Sequence, residues 1–332
     1  MKKIKYIIKR IFSMNFKNFF KTIDDVHKIT KKSKIYLFFD IVFCGFKYQA
    51  GYMDYQLFEM YKMNKEERRT IITRGVNNDL IKKYNNPEFG LLLRNKIKFN
   101  AKFSKYLNRE WFVVDGNNFD EFKTFLKGKK AVMIKPEDGT CGKRIEKTVL
   151  KDWKKQDLYN YLLKNKIYLV EEVAVQCKEI SALHPSSINT VRVVTLNGKV
   201  VVTFLRIGSQ GKVVDNFNSE GMVVPVDTKD GIIKFPAIDK LHNTHSIHPY
   251  TNVPIVGVQI PRWKEVIKLC EKAAKEIPEL GYIGWDVCVG KEKPFLIEAN
   301  EFPGHDIYQL PPHRNGNTGL YPIFKKAMEV KK

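Results

Sequence analysis

The chain has 332 residues, 43% of them apolar, enough to bury a sizeable core in roughly two or three lobes. Lysine and arginine exceed aspartate and glutamate by 58 to 36, and the formal charge of +22 implies an anionic partner: a nucleotide, a nucleic acid, an anionic membrane or an acidic polymer. The five cysteines (Cys44, Cys141, Cys177, Cys270 and Cys288) are scattered without a CxxC pair, which argues against a disulfide framework or structural zinc and for a reducing cytosol.

Between residues 1 and 34, eleven basic side chains from Lys2 to Lys34 stand against Asp24 and Asp25 alone. Among them Ile4, Ile7, Ile8, Ile11, Phe12, Phe16, Phe19 and Phe20 fall at spacings of three and four, one face of a helix. A basic amphipathic helix of this kind suits an interfacial anchor on anionic lipid, and it equally suits a helix packed on the protein's own body. No signal-peptide pattern accompanies it, and the longest apolar run, Ile35 to Phe46, is broken by Asp40 and too short to span a bilayer. The expected location is therefore cytoplasmic, peripheral on the inner face of the membrane.

Residues 35–93, rich in helix formers and aromatics as in GYMDYQLFEMYKMNKEERRT, predict a helical leading subdomain broken at Asn85, Asn86 and Pro87. From Arg94 the texture changes. AVMIKP, Ala131 to Pro136, predicts a buried strand ending in Lys135, and the loop after it carries Gly139 and Gly142. A lysine at a strand end beside a small-residue loop can hold phosphates, because the loop N–H groups approach closely. An ordinary turn after a strand gives the same pattern. IYLVEEVAV, Ile167 to Val175, predicts a strand running into Glu171 and Glu172, with Glu179 beyond. Its edge could offer backbone groups to an adenine, or it could be a solvated strand end.

INTVRVVTLNGKVVVTFLRIG, Ile188 to Gly208, predicts a hairpin closed by a type I′ turn at Asn197-Gly198. A two-residue loop pairs Arg192 with Thr203 and puts Arg206 on the other face, so both arginines serve one site only if a bulge or the sheet's twist intervenes. His242, His245 and His248 recur every third residue in a proline-bearing stretch, but no helix aligns them and a metal role is not expected. RWKEVIKLCEKAAKEI, Arg262 to Ile277, predicts an amphipathic helix between Pro261 and Pro278. It leads into GYIGWDVCVGKEKPFLIEANEFPG, Gly281 to Gly304, two apolar strands in a hairpin. Asp286 lies on the first strand, and Glu298 and Asn300 share a face of the second. Three oxygen-bearing side chains in an apolar ribbon suit a hard cation such as Mg2+, which takes oxygen ligands. An acid paired with a nearby lysine or arginine is the plainer reading.

Taken in order, Lys96 in an Asn-Lys pair, the strand and loop at 135–143, Glu171-Glu172, the arginine hairpin, Asp215-Asn216, and Asp286 with Glu298-x-Asn300 resemble the ATP-grasp superfamily of ligases over residues 91–310. HPSSINTVRVVT, VVDNFNSEG and GYIGWDVCV look like its sugar-transfer-associated subgroup, found among polysaccharide-assembly functions. The resemblance implies an α+β fold, the ATP-grasp fold of two α+β subdomains clasping ATP, preceded by a mainly helical N-terminal region. The implied division is 1–34 as a basic amphipathic helix, 35–93 as the leading subdomain, 94–178 as lid and nucleotide hinge, and 179–332 as the catalytic core.

By the same resemblance, Asp286, Glu298 and Asn300 are ligands of Mg2+, as a pair of ions with Mn2+ as a substitute. Lys96, Lys135, Gly139 and Gly142 would hold the ATP phosphates, Glu171, Glu172 and Val173 the adenine, and Glu179 the ribose. Arg192 and Arg206 would hold the acceptor carboxylate and the transferring phosphoryl group, Asn216 would be catalytic with them, and Asp215, Asn216 and Gly221 would line the acyl-phosphate pocket. One departure is the short glycine loop, with Cys141 and Lys143 where small residues are usual. The implied activity is an ADP-forming carboxylate–amine ligase joining a uronic-acid carboxylate of a polysaccharide, or its precursor, to an amino acid or other amine. A kinase that leaves the phosphoryl group on a sugar is one alternative, and a non-catalytic polyanion- or membrane-binding module is another. The expected partners are a carboxylate-bearing saccharide, an amine and an anionic membrane surface met through residues 1–34, with no nucleic acid.

Overall fold

The structure, a computed structural model, describes residues 14–139, 144–209, 217 and 221–329. Its helices include, in chain order, α1 (Phe16–Thr30), α2 (Lys34–Tyr48), α3 (Arg74–Tyr84), α4 (Lys96–Lys102), α5 (Phe119–Phe125), α6 (Lys155–Lys164), α7 (Trp263–Lys275) and α8 (Tyr321–Glu329). The described chain divides into two compact units, one made of residues 14–83 and 304–329, the other of Tyr84–Pro303.

In the first unit, α1 and α2 start at Asn15 and Ser33, whose side chains accept hydrogen bonds from backbone N–H groups of the first turn. Each helix ends on a left-handed residue, Lys31 and Gln49. Phe19, Ile23 and Val26 of α1 pack against Leu37, Ile41 and Cys44 of α2. Asp40, which interrupts the apolar run of α2, is held by both terminal nitrogens of Arg68 at 2.6 and 2.7 Å, and Tyr55 donates its hydroxyl to it at 2.6 Å. Far along the sequence, Gln309 exchanges hydrogen bonds with the backbone of Ile72 at 3.1 and 2.7 Å, and Tyr321 N–H donates to Thr70 at 2.8 Å. Those bonds place the last segment with the helices.

The second unit carries two antiparallel sheets. The smaller has the order β1-β4-β2-β3, from β1 (Trp111–Val113), β2 (Ala131–Lys135), β3 (Glu146–Val149) and β4 (Leu169–Glu172). Val132, Ile134 and Val170 of this sheet pack on Phe122 of α5 and on Leu158 and Leu162 of α6. The larger has the order β11-β10-β5-β6-β7-β8-β9, from β5 (Val191–Leu196), β6 (Lys199–Ile207), β7 (Met222–Pro225), β8 (Ala237–Ile238), β9 (Thr244–His245), β10 (Tyr282–Val289) and β11 (Pro294–Asn300). Its core joins Val191, Val193, Leu205 and Val287 to Val266, Cys270 and Ala273 of α7, the apolar stripe expected of that helix. Helices before antiparallel sheets make the α+β class that the sequence predicts.

The arginine hairpin departs from the simple register. Its turn is as expected, with Asn197 at φ 51° and Gly198 at φ 72°, the positive angles a type I′ turn requires. Next to the turn Thr195 faces Val200, but the following residue pair is Val194 with Val202, so Val201 is one residue extra. This bulge shifts every later pair by one: Arg192 faces Phe204, and Thr203 faces Val193 instead. Arg206, two residues past Phe204, therefore shares the face of Arg192.

The three spaced histidines do not converge. His242 is exposed, His245 bonds Asp239 at 3.0 Å, and His248 is buried against the Gly208 carbonyl at 3.3 Å. Among the described residues no group of three or more His, Cys, Asp and Glu could hold a metal ion. Cys44, Cys177, Cys270 and Cys288 are buried and form no disulfide among the described residues. No described helix is long and apolar enough to cross a membrane.

Candidate active site

The site is built on the central strands of the larger sheet. β10 pairs with β11 on one side and β5 on the other, and Asp286 stands directly across from Glu298 on one and from Arg192 on the other. The Asp286 side chain is 2% exposed. Arg192 grips it with Nε on Oδ1 and with Nη2 on Oδ2 at 2.9 Å, and Arg206 adds Nη1 on Oδ2 at 3.0 Å. Without the Val201 bulge Arg206 would point away. Gly284 lies under the Arg192 side chain: a Cβ there would sit 3.3 Å from Arg192 Cδ and Nη1 and 3.2 Å from Pro303 Cβ, so glycine gives the guanidinium its room.

Burial alone would push the Asp286 carboxyl up in pKa, but the charges of Arg192 and Arg206 overcome it and hold the group below its ordinary value. Glu298 moves the other way, raised by burial and then by the charge of Asp286, to which it is hydrogen-bonded. Two facing carboxyls of which one tends to keep a proton form a donor set that a divalent cation fits, since the cation can take the proton's place and satisfy both. Asn300, across from Gly284, adds an amide whose Nδ2 is buried without a partner among the described residues. The residues thus fit Mg2+, with Glu298 and Asn300 the more open ligands and Asp286 already shared with two guanidiniums.

A second cluster lies where the smaller sheet meets the larger. Glu171 is 2% exposed and accepts from Asn100 Nδ2 at 2.7 Å, Arg109 Nε at 3.0 Å, Arg109 Nη2 at 3.1 Å and Lys135 Nζ at 2.5 Å. Burial works against its charge, but Arg109 and Lys135 win and keep the carboxyl well below the usual range. The same Arg109 donates to the backbone oxygens of Leu296 and Ile297 on β11, at 2.6 and 3.2 Å. It fixes the β4 end of one sheet against the strand that bears Glu298. Neither Arg109 nor Asn100 belongs to a sequence motif. The one available signal is stoichiometric: a carboxylate buried beside a single lysine calls for more donors.

Lys96, at the start of α4, donates to the Gly139 carbonyl at 3.1 Å, tying it to the loop after β2. Burial lowers its pKa against the pull of Glu298, with Lys135 adding to the lowering, so these groups share one electrostatic environment. The structure thus brings Lys96, Lys135, Gly139, Glu171, Arg192, Arg206, Asp286, Glu298 and Asn300 to one region. Glu172 is exposed at the end of β4, and the chain from Val173 to Val175 runs outside any ladder, leaving an edge open beside it. A shallow concavity lined by Lys129, Lys147, Glu172 and Val173 adjoins that edge. Glu179 is exposed in the first turn of a short helix, Lys178–Ser181. Gly221 is buried just before β7. Gly142, Asp215 and Asn216 lie outside the described residues.

Two antiparallel sheets, an acidic hairpin gripped by arginines and a lysine-bearing lid strand are the parts of an ATP-grasp protein. Residues 149–324 match the sugar-transfer associated ATP-grasp family, and the chain belongs to it. Among solved structures the chain is similar, at 14% identity, to the ATP-grasp ligase PsnB complexed with a phosphomimetic variant of minimal precursor, Mg and ADP. That match covers 74% of this chain and 60% of the other, with a TM-score of 0.43. It is also similar to the D-cycloserine synthetase DcsG (11% identity, 73% and 71% covered, TM-score 0.42). A D-alanine–D-alanine ligase from Bacillus anthracis complexed with ATP matches at 12% identity, over 80% and 69%, with a TM-score of 0.39. Over three PsnB structures the chain spans 60 to 62% of the partner's length. No curated protein matches it.

Proposed function

We propose that this protein is an ATP- and Mg2+-dependent carboxylate–amine ligase. A carboxylate oxygen attacks the γ-phosphorus of ATP, the bond to the β-phosphate bridging oxygen breaks, and ADP leaves an acyl phosphate. An amine nitrogen then attacks the acyl carbon, phosphate departs, and the nitrogen gives up a proton to form the amide. The observation that carries the reading is the row Glu298, Asp286, Arg192 across three adjacent strands, with Arg206 on the same face.

In this reading Glu298, Asn300 and Asp286 would hold Mg2+, which neutralises phosphate charge. Arg192 and Arg206 stabilise the negative charge that develops in transfer, and Asp286 keeps both planes aimed while no substrate is bound. Lys96 and Lys135 supply positive charge to the phosphates, and Gly139, next to Gly142 and the rest of that loop, lets the backbone come close. Glu172 and Val173 offer the open edge to adenine, and Glu179 serves the ribose. Glu171 supports the site from beneath, because its oxygens are taken by Arg109, Lys135 and Asn100. Asp215, Asn216 and Gly221 are assigned to the acceptor pocket. The acceptor we favour is a uronic-acid carboxylate of a polysaccharide or its precursor, with an amino acid or other amine, in the cytoplasm.

The test is release of ADP and phosphate by purified protein with a panel of uronic acids, with and without amines. Amine-dependent ADP release is the expected result. AMP and pyrophosphate would sink the acyl-phosphate route, and a stable phosphorylated sugar formed without amine would make the protein a kinase.

A further inference from the structure

The outward side of α2 is apolar where a surface helix is normally polar. The helix buries Leu37, Ile41, Cys44 and Tyr48 against its own unit. On the opposite side, at steps of four, four and three, stand Ile35, Phe39, Phe43 and Phe46, which are 72%, 64%, 44% and 51% exposed. α1 adds Phe16 and Phe20, 52% and 54% exposed. The two helices present one surface, because edge-to-face contacts run from Phe20 to Phe19, on to Phe38 and then to Phe39, with ring centroids 5.5, 5.6 and 5.3 Å apart. A patch of large exposed rings on this scale marks a surface that meets something.

The charges around it say what. Lys17, Lys21, Lys28, Lys31 and Lys47 are exposed on these two helices or at the end of α1. The acids on these helices do not offset them: Asp40 is buried with Arg68 and Asp24 is paired with Lys34 at 2.6 Å, which leaves Asp25 against five exposed lysines. A second copy of this chain docked face to face would set these lysines against one another. A surface with anionic phosphates above an apolar layer satisfies both components, as lysine stems lie along the rings while their ammonium groups reach outward.

We infer that the outward face of α1 and α2 docks on an anionic lipid bilayer, with the phenylalanines at the boundary between headgroups and acyl chains. The contact thereby takes in residues 35–46 as well as the described part of the basic N-terminal stretch, Phe16–Thr30. It is independent of the ligase reading and survives that reading's failure.

Flotation of the full chain with phosphatidylcholine vesicles, with and without phosphatidylglycerol, tests it. Binding is expected only with phosphatidylglycerol and should fall as salt screens the lysines. A Phe39→Ser, Phe46→Ser double variant should bind about tenfold more weakly or worse, with unchanged thermal unfolding because both rings lie outside the core. Lys17→Gln with Lys21→Gln should weaken binding to phosphatidylglycerol vesicles in the same way. The inference is overturned by absent binding, by equal binding to phosphatidylcholine alone, or by binding that the phenylalanine pair does not affect. A dimer in sedimentation that dissociates in the same phenylalanine variant also overturns it, in favour of a second copy.

Discussion

Asp286 and Glu298 face each other across one hydrogen-bonded ladder, yet substitution should separate what each contributes. Asp286 answers two buried guanidiniums, on Arg192 and Arg206, whose side chains are 11% and 8% exposed. Asp286→Ala would remove the carboxylate that both guanidiniums share, and breaking a buried pair in this way costs about 3–5 kcal/mol of stability. Urea unfolding followed by tryptophan fluorescence should show that loss, and Trp285, beside Asp286 in β10, is well placed to report it. Glu298→Gln replaces a carboxyl that burial and the charge of Asp286 push up in pKa, and leaves Asp286 with both arginines. This variant should be at least as stable as the parent, while in the ligase reading ADP release falls by about a hundredfold or more, because a carboxylate that would hold Mg2+ is lost. A Glu298→Gln protein that retains full ADP release would remove Glu298 from the chemistry.

At the scale of elements, the hairpins were legible because their signals are local. Asn197-Gly198 fixes a turn type by backbone angle, and the alternation on either side fixes two strands. The Val201 bulge was not legible, since one extra residue in an all-apolar run, Val200-Val201-Val202, leaves no mark in the hydrophobic pattern. Yet that residue decides whether Arg206 reaches Asp286. Gly284 was hidden for a related reason: its need for a missing Cβ comes from Arg192, a neighbour on another strand. Gly284→Ala should therefore keep the fold while shifting the Arg192 side chain by a few tenths of an ångström. Because catalysis is sensitive to small misplacements, ADP release should drop about tenfold or more with near-unchanged circular dichroism and melting. Equal loss of activity and of melting temperature would mean that the glycine serves packing alone.

At the scale of the whole chain, what the sequence hid was long-range. Gln309 with Ile72, and Arg109 with the carbonyls of β11, join residues separated by 237 and 187 positions, and no periodicity reports such pairs. The same holds for His184 and His248, which stack with centroids 5.9 Å apart near the start of β5 and the end of β6. His184 Nδ1 meets Ser187 Oγ at 2.8 Å, and His248 accepts at Nδ1 from Thr251 N–H while Nε2 faces the Gly208 carbonyl. Burial lowers the pKa of each below the ordinary 6.5, against the hydrogen bonds of the rings to backbone groups at Ser209 and Gly208, which favour the charged form. The sign follows from proton counts: below about 6.5 the unfolded chain takes up protons that the folded one refuses, so stability is full above that pH and falls as pH drops through it. Glu171 behaves oppositely in origin and adds a later step, because its depressed pKa contributes stability above 4.5 that disappears as pH falls further toward its folded value. All four tryptophans (Trp111, Trp153, Trp263 and Trp285) lie in Tyr84–Pro303, so their fluorescence reports the unit that holds both histidines. Urea midpoints should be flat from pH 8 to 7 and decline from 6.5 to 5. In His248→Asn the midpoint should start lower, since a buried ring is lost, but decline less steeply. A slope identical in parent and variant would place the acid sensitivity elsewhere in the chain.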